Sequence, residues 1–341
     1  MSSGPDESNV DEFQVIADLF APLSQGYPGA LGLTDDVALL AADGDHETAV
    51  TVDAMVAGIH FLPDDPADLV ARKLIRGNLS DLAAKGARPF AVMLAAAFPV
   101  GVGLAWLRHF AQGLAEDVAE FGIALIGGDT VATPGPLTLS LTALGKVEQG
   151  RAVLRSGARA GDLVCVSGSI GDGALGLRAA RGGWNDLAAE HVDYLAGRYR
   201  LPQPRVALGA GLPGLAHAGM DISDGLVQDL GHLCRVSALA AEIDATAVPL
   251  SPAARAALAA DHSLLATILA GGDDYELLFT APASAGPEIE ALGCRAGVAV
   301  TAIGTMVPGS GVTVRGGDGQ PLVLDRGGWR HFSATGTGAG A

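Results

Sequence analysis

Aromatic residues make up only 5% of this 341-residue chain, positive charge is scarce, and there are just three cysteines. Each scarcity excludes something. With hydrophobic residues at 49% and so few rings, a core has to be packed mainly from alanine, valine and leucine. Lys and Arg number 21 against 38 Asp and Glu, a formal charge of -17. That balance lacks the basic footprint that nucleic acid or an anionic membrane surface requires. Cys165, Cys234 and Cys294 have no paired spacing, so they read as buried thiols in a reducing compartment and not as disulfides or zinc ligands. Residues 1–10 have neither a basic start nor an apolar run, so no signal peptide is expected. The uncharged stretch 89–107 is broken by Pro99, Gly101 and Gly103, and reads as a buried strand 90–98, a turn and a helix start. A soluble, cytoplasmic protein is expected. No Walker A loop is present, because Gly145-Lys146 runs into Val147 without the upstream glycines.

What the chain does have is aspartate in short phrases rich in glycine, serine or threonine. Asp36 closes Leu33-Thr-Asp-Asp, Asp53 follows Thr51-Val52, and Asp81 ends Asn78-Leu-Ser-Asp. Asp129 ends Gly127-Gly-Asp, while Asp221 and Asp224 frame Asp-Ile-Ser-Asp-Gly225. Short carboxylates beside free carbonyls and hydroxyls are what a hard divalent cation takes as ligands. Several such phrases without a His/Cys cluster point to a site built around magnesium and phosphate. The negative charge is compatible with a phosphorylated small molecule when metal ions bridge the like charges.

The alternation of elements predicts α/β or α+β architecture in two domains. Residues 1–148 form the first, with a helix at 11–23, strands at 37–40 and 49–54, a helix at 69–84 and a strand at 90–98. A helix at 104–121, a strand at 123–126, a turn at 127–130, a Pro/Gly hairpin at 134–136 and a strand at 137–144 complete it. The Gly-rich stretch 146–161 marks the boundary to a second domain, 149–332. Its strands are expected at 163–167, 241–244, 275–280, 298–303 and 312–314, with a helix from Gly173, a helix-rich stretch at 186–218 and a turn at 221–225. The tail 333–341 has nothing to bury and is expected to be disordered.

Other readings of these phrases remain open from the residues alone. Gly171-Asp-Gly173-Ala-Leu-Gly176 matches a dinucleotide fingerprint, yet the expected second strand with its acid is replaced by the turn-like 181–186. A phosphate-facing or purely structural helix N-terminus is the alternative. Asp221 to Gly225 also suits a helix cap, and Gly271 to Glu276 an ordinary turn into a strand. His60 also suits a structural histidine at a strand end.

In order, TDDVALL (34–40), TVDAMVAGIHF (51–61), NLSDLAAKGA (78–87), LIGGDT (125–130), RSGARAGD (155–162), DISDGLVQDLGH (221–232), GGDDYELLFT (271–280) and GGWRHF (327–332) closely resemble one family. It is the thiamine-monophosphate kinases, within the aminoimidazole ribonucleotide synthetase-like superfamily of ATP-dependent enzymes. The resemblance implies a two-domain fold whose N-terminal domain closes a β-barrel across a homodimer. It implies transfer of the ATP γ-phosphoryl group to thiamine monophosphate, with several Mg²⁺ ions. Metal positions would be Asp36, Thr51, Val52, Asp53, Asp81, Asp129, Asp221 and Asp224, with catalysis centred on Asp53, Asp129 and Arg155. Nucleotide contacts would fall on Gly128, Asp129, Arg155 and Ser223, and substrate contacts on His60, Asp273 and Trp329. Thr34, Val52 and Asp273 depart from the family's Gly, Thr and Glu, so a metal contact at residue 52 would use the backbone carbonyl. Competing readings are another superfamily ATP-dependent enzyme, or a magnesium–nucleotide binding regulator without turnover. The chain lacks both the reactive N-terminal cysteine of a selenophosphate-forming branch and a terminal cysteine like that of the hydrogenase-maturation branch.

Overall fold

The computed structural model describes residues 28–40, 44–323 and 328. The expected helix at 11–23, the tail and Trp329 lie outside the described residues. Two sheets organise the rest. The first comprises β1 (Ala38–Leu40), β2 (His46–Val56), β3 (Arg88–Pro99), β4 (Ala124–Thr133) and β5 (Thr138–Glu148), in the order β1-β2-β5-β3-β4. All its pairs are antiparallel except β3 with β4. That pair is joined by helix α2 (Leu104–Phe121), the crossover a parallel pair needs.

The second sheet has the order β11-β8-β10-β6-β9-β7. Its strands are β6 (Leu163–Ser167), β7 (Ala218–Ile222), β8 (Ala240–Asp244), β9 (Glu276–Ala281), β10 (Val300–Val307) and β11 (Gly311–Arg315). Helices α3 (Asp172–Ala180), α4 (Ala189–Arg200), α5 (Val206–Gly209), α6 (Leu226–Ser237), α7 (Pro252–Ala260), α8 (Leu264–Ala270) and α9 (Gly286–Ala296) pack around it. The cores are aliphatic and largely ring-free, as the composition requires, with Leu, Val, Ile and Ala dominating both. Phe279 and Tyr199 are the fully buried aromatic exceptions among the largest side chains.

Helix α1 (Ala67–Ala84) joins the two halves, packing against β2 and β5 on one side and β7 and β9 on the other. A helix enclosed on all sides is normally apolar. This one buries Lys73, Arg76, Asn78 and Ser80 as well as its leucines, and Lys85 just beyond its end is also fully buried. Buried polar groups need partners, and several of theirs lie in the functional site.

Four expectations are corrected. The Gly127-Gly-Asp-Thr130 segment is not a turn but the middle of β4. Gly128 passes so close to β3 that an added Cβ would lie 1.9 Å from the Leu94 carbonyl oxygen, so glycine serves strand packing there. Asp221 and Ile222 are the last residues of β7, not part of the turn. The strand over 90–98 is buried on one face only, with Phe90 and Met93 exposed. Cys294 is exposed, on the outer side of α9, while Cys165 and Cys234 are buried as expected. Among the described residues no helix is long and apolar enough to cross a membrane.

Candidate active site

A cleft of about 1220 Å³ opens between the two halves, with carboxylates from both domains around it. From α1, residues four apart share a face, and Lys73, Gly77, Asp81 and Lys85 form such a stripe. Gly77 leaves room for the Tyr275 ring, which a Cβ would approach to 3.4 Å. Opposite α1, Thr51 and Asp53 alternate with Val52 along β2. The Thr51 hydroxyl donates to Asp81 Oδ2 at 2.7 Å, and the Asp53 backbone N–H donates to Asn78 Oδ1 at 3.1 Å. Strand alternation turns the half-exposed Val52 side chain to the other face, leaving its backbone as the polar part near the cleft.

The carboxylates of Asp36, Asp81 and Asp221 come together with one oxygen of each within 4.8 Å of the others. Burial, then the charges of Asp53 and Asp221, push the Asp81 carboxyl well above its ordinary value. Burial raises Asp221 as well, against the pull of Arg155 and Lys85. Like charges packed this way call for a cation, and three short carboxylates with a threonine hydroxyl suit a hard, oxygen-seeking divalent ion. Thr51, Asp53, Asp81, Asp221 and Asp224 all line the same cleft with Asp36.

Two protein cations already stand at this cluster. Lys85 Nζ lies 3.1 Å from Asp35 Oδ1 and 2.6 Å from Asp36 Oδ2, and donates to the Gly219 carbonyl at 2.8 Å. Arg155 pairs with Asp36 through its guanidinium, and its backbone N–H donates to Asp35 Oδ2 at 2.8 Å. The paired aspartates of the first phrase therefore pin Arg155, which belongs to the interdomain segment, beside the carboxylates. Asp229 organises the next phrase: its Oδ2 accepts the backbone N–H groups of Ser223, Asp224 and Gly225 at 3.0–3.1 Å. Asp229→Ala strands three N–H donors. It is expected to lower the melting temperature and cut turnover about 100-fold, since each buried unpaired donor costs about 1–3 kcal/mol. Thermal melting beside steady-state kinetics checks this, and unchanged turnover would show that the turn geometry is irrelevant to activity.

His60, Asp273 and Tyr275 line the same cleft. His60 Nδ1 accepts from the Val56 N–H at 3.0 Å, which places the proton of a neutral ring on Nε2. Asp273 and Tyr275 both have left-handed backbones, with φ of 69° and 51°. Two backbone bonds hold this strained segment to the preceding phrase: Asp273 N–H to the Ser223 carbonyl at 2.9 Å and Tyr275 N–H to the Ile222 carbonyl at 2.8 Å. Between them, the Asp274 carboxylate accepts from the N–H groups of Gly171 and Gly173 at 2.7 and 2.9 Å. The N-terminus of α3 is thus capped by the protein's own carboxylate. The glycine fingerprint is structural, and no dinucleotide reading survives. Burial and the neighbouring carboxylates keep the Tyr275 phenol protonated.

Gly128 and Asp129 do not line the cleft. Register across the first sheet runs Asp53–Leu141–Leu94–Gly128, so β4 lies three strands from β2. That separation is ~14 Å at the usual strand spacing. Asp129 is exposed on the edge strand, where its Oδ1 accepts its neighbour Thr130's N–H. The structure assembles the remaining described site residues, Asp36, Thr51, Val52, Asp53, His60, Asp81, Arg155, Asp221, Ser223, Asp224 and Asp273, in one place. The sequence reading missed Lys73, Lys85 and Asp229. A signal existed for the first two, since they continue the four-residue spacing of Asp81 along one helix face.

Comparison with known proteins accords with this geometry. Residues 34–147 match the AIR synthase related protein, N-terminal domain, and residues 159–317 the corresponding C-terminal domain. The thiamine-monophosphate kinase of Caulobacter vibrioides is 43% identical over 335 residues, covering 97% of this chain and 93% of the relative. That of Escherichia coli (strain K12) is 42% identical over 325 residues, covering 94% and 98%. The solved structure of AaThiL complexed with AMPPCP and TMP superposes with a TM-score of 0.84 at 28% identity, covering 97% of this chain and all of that one. Domain matches, identity and fold agree along nearly the whole length, and the chain belongs to the thiamine-monophosphate kinase family.

Proposed function

We propose that the chain is a cytoplasmic, Mg²⁺-dependent kinase that transfers the γ-phosphoryl group of ATP directly to thiamine monophosphate, giving thiamine diphosphate and ADP. The observation that carries this reading is the Asp36–Asp81–Asp221 cluster, which shares one cleft with the acceptor-side residues His60 and Asp273. Asp36, Asp53, Asp81, Asp221 and Asp224 would hold the metal ions, with Thr51 and the Val52 carbonyl beside them. Bound there, divalent ions would offset the carboxylates' charge and supply electrostatic stabilisation to the transferred phosphoryl group. Arg155 grips the nucleotide phosphates from the cluster's edge, and Ser223 contacts the same ligand. His60 and Asp273 orient the acceptor, with Trp329 as its third contact. The acceptor phosphate is already ionised near neutral pH, so no general base is required, and catalysis is positioning plus electrostatics. A coupled ADP-release assay over thiamine monophosphate, thiamine and unrelated phosphate monoesters tests the assignment. ADP release is expected with thiamine monophosphate, and equal release with every acceptor would defeat it.

The working unit in this reading is a homodimer. An outer sheet face carrying Val52, Met93, Ile126 and Val131 at 43–60% exposure supports this, because such a row is costly to leave in water. So does the placement of Asp129. In a barrel closed from two copies of an open sheet, β4 of one copy lies beside the β1–β2 edge of the other, bringing Asp129 and Gly128 to the partner's cleft. Light scattering at micromolar concentration is expected to give twice the chain mass, and a fully active monomer would contradict the shared site.

A further inference from the structure

We infer that Lys73 is the positioning residue of the acceptor side, holding the Asp273 carboxylate and the His60 backbone in one arrangement across the two domains. The inference rests on the reading of Asp273 and His60 as acceptor contacts and adds the group that sets their geometry. Lys73 sits on α1 with its side chain only 2% exposed. Its Nζ donates to the His60 carbonyl at 3.0 Å and to Asp273 Oδ2 at 3.1 Å, and lies 3.8 Å from the centre of the Tyr199 ring. Buried and engaged by these three partners, the Lys73 ammonium acts through its neighbours.

Those neighbours come from separate parts of the fold. His60 follows β2 in the first domain, Tyr199 is on α4, and Asp273 belongs to the strained segment before β9. A buried ammonium is costly to keep unless its partners are fixed, so the contact that satisfies Lys73 also fixes the span between His60 and Asp273. Lys73 engages one oxygen of Asp273, whose side chain remains 30% exposed where it lines the cleft. A cationic, aromatic acceptor then meets a fixed negative group at a set distance from the metal-binding carboxylates.

The test compares Lys73→Met, Asp273→Asn and the double variant. It reads steady-state constants, and calorimetric binding of thiamine monophosphate in the presence of Mg²⁺ and a non-hydrolysable ATP analogue. Lys73→Met is expected to raise KM and Kd for thiamine monophosphate about 10-fold, a typical loss for one charged contact, with KM for ATP changed less than about twofold. The double variant is expected to be no worse than Asp273→Asn alone, because both changes break one linkage. Lys73→Gln, which retains two N–H donors, carries the same test if the methionine variant fails to melt cooperatively, with the same acceptor-only rise expected. A lowered melting temperature with unchanged acceptor constants would make Lys73 a structural lysine and overturn the inference, as would losses that multiply in the double variant. Wild-type protein that does not bind thiamine monophosphate would overturn the functional reading along with it. Wild-type binding that the Lys73 variants leave unaltered would overturn this inference alone.

Discussion

If the proposed site is right, Asp53→Asn and Asp129→Asn are each expected to lower turnover at least ~10³-fold while the protein still melts cooperatively, because each would remove metal-binding charge and no core contact. Both carboxylates are exposed in the single chain, on opposite sides of the first sheet. Neither substitution opens a cavity. The pair also reports where Asp129 works. If β4 completes the partner's cleft, a purified heterodimer of the two variants contains one site with both aspartates and one with neither. That heterodimer should recover about half the wild-type activity, one intact site of two. An inactive heterodimer would place Asp129 in its own chain's site, and near-normal turnover in either single variant would move the metal site elsewhere.

The second large effect is metal withdrawal. Chelator is expected to abolish turnover, and Mg²⁺ to restore it with a response steeper than a single hyperbola, since the cleft holds more carboxylates than one ion uses. Stability follows with a definite sign. Asp81 and Asp221 are held above the ordinary carboxylate value of 3.8 in the fold, so the metal-free protein keeps protons that the unfolded chain has released. Their contribution is present at low pH and is lost as pH rises through the raised values. Metal ions bound there, as proposed, would take the place of those protons. Melting temperature in chelator should therefore fall more steeply with rising pH than it does in Mg²⁺. At one hundred times Kd a single ion adds about 2.7 kcal/mol. Full activity in chelator, or parallel pH curves with and without Mg²⁺, would exclude the metal cluster.

Much of this site is legible in the sequence because its acids come in local phrases. Asp35-Asp36, Asn78 to Asp81 and Asp221 to Gly225 each carry their acid and its small neighbours within a few residues, and the fold brings the phrases together. Local reading failed where tertiary placement decides. Lys73 and Lys85 look like ordinary helix-surface lysines until α1 is seen enclosed between two domains. Asp129 looks like another member of its own chain's cluster, but strand order places it at the far edge of the sheet, away from that chain's cleft, and strand order has no local signature. The glycines of 127–128 suggested a turn because glycine permits turns. Here the demand for glycine comes from the close passage of β3, a contact between strands more than thirty residues apart in sequence. Acid spacing gave no hint that Asp229 and Asp274 accept backbone N–H groups.

The most direct measurement is ³¹P NMR of the purified protein with ATP, Mg²⁺ and thiamine monophosphate. The account predicts that the thiamine monophosphate resonance is replaced by the pair of a diphosphate ester, in step with ADP, and that unphosphorylated thiamine leaves ATP intact. Release of inorganic phosphate in place of thiamine diphosphate, or ADP formation that ignores the acceptor, would contradict it.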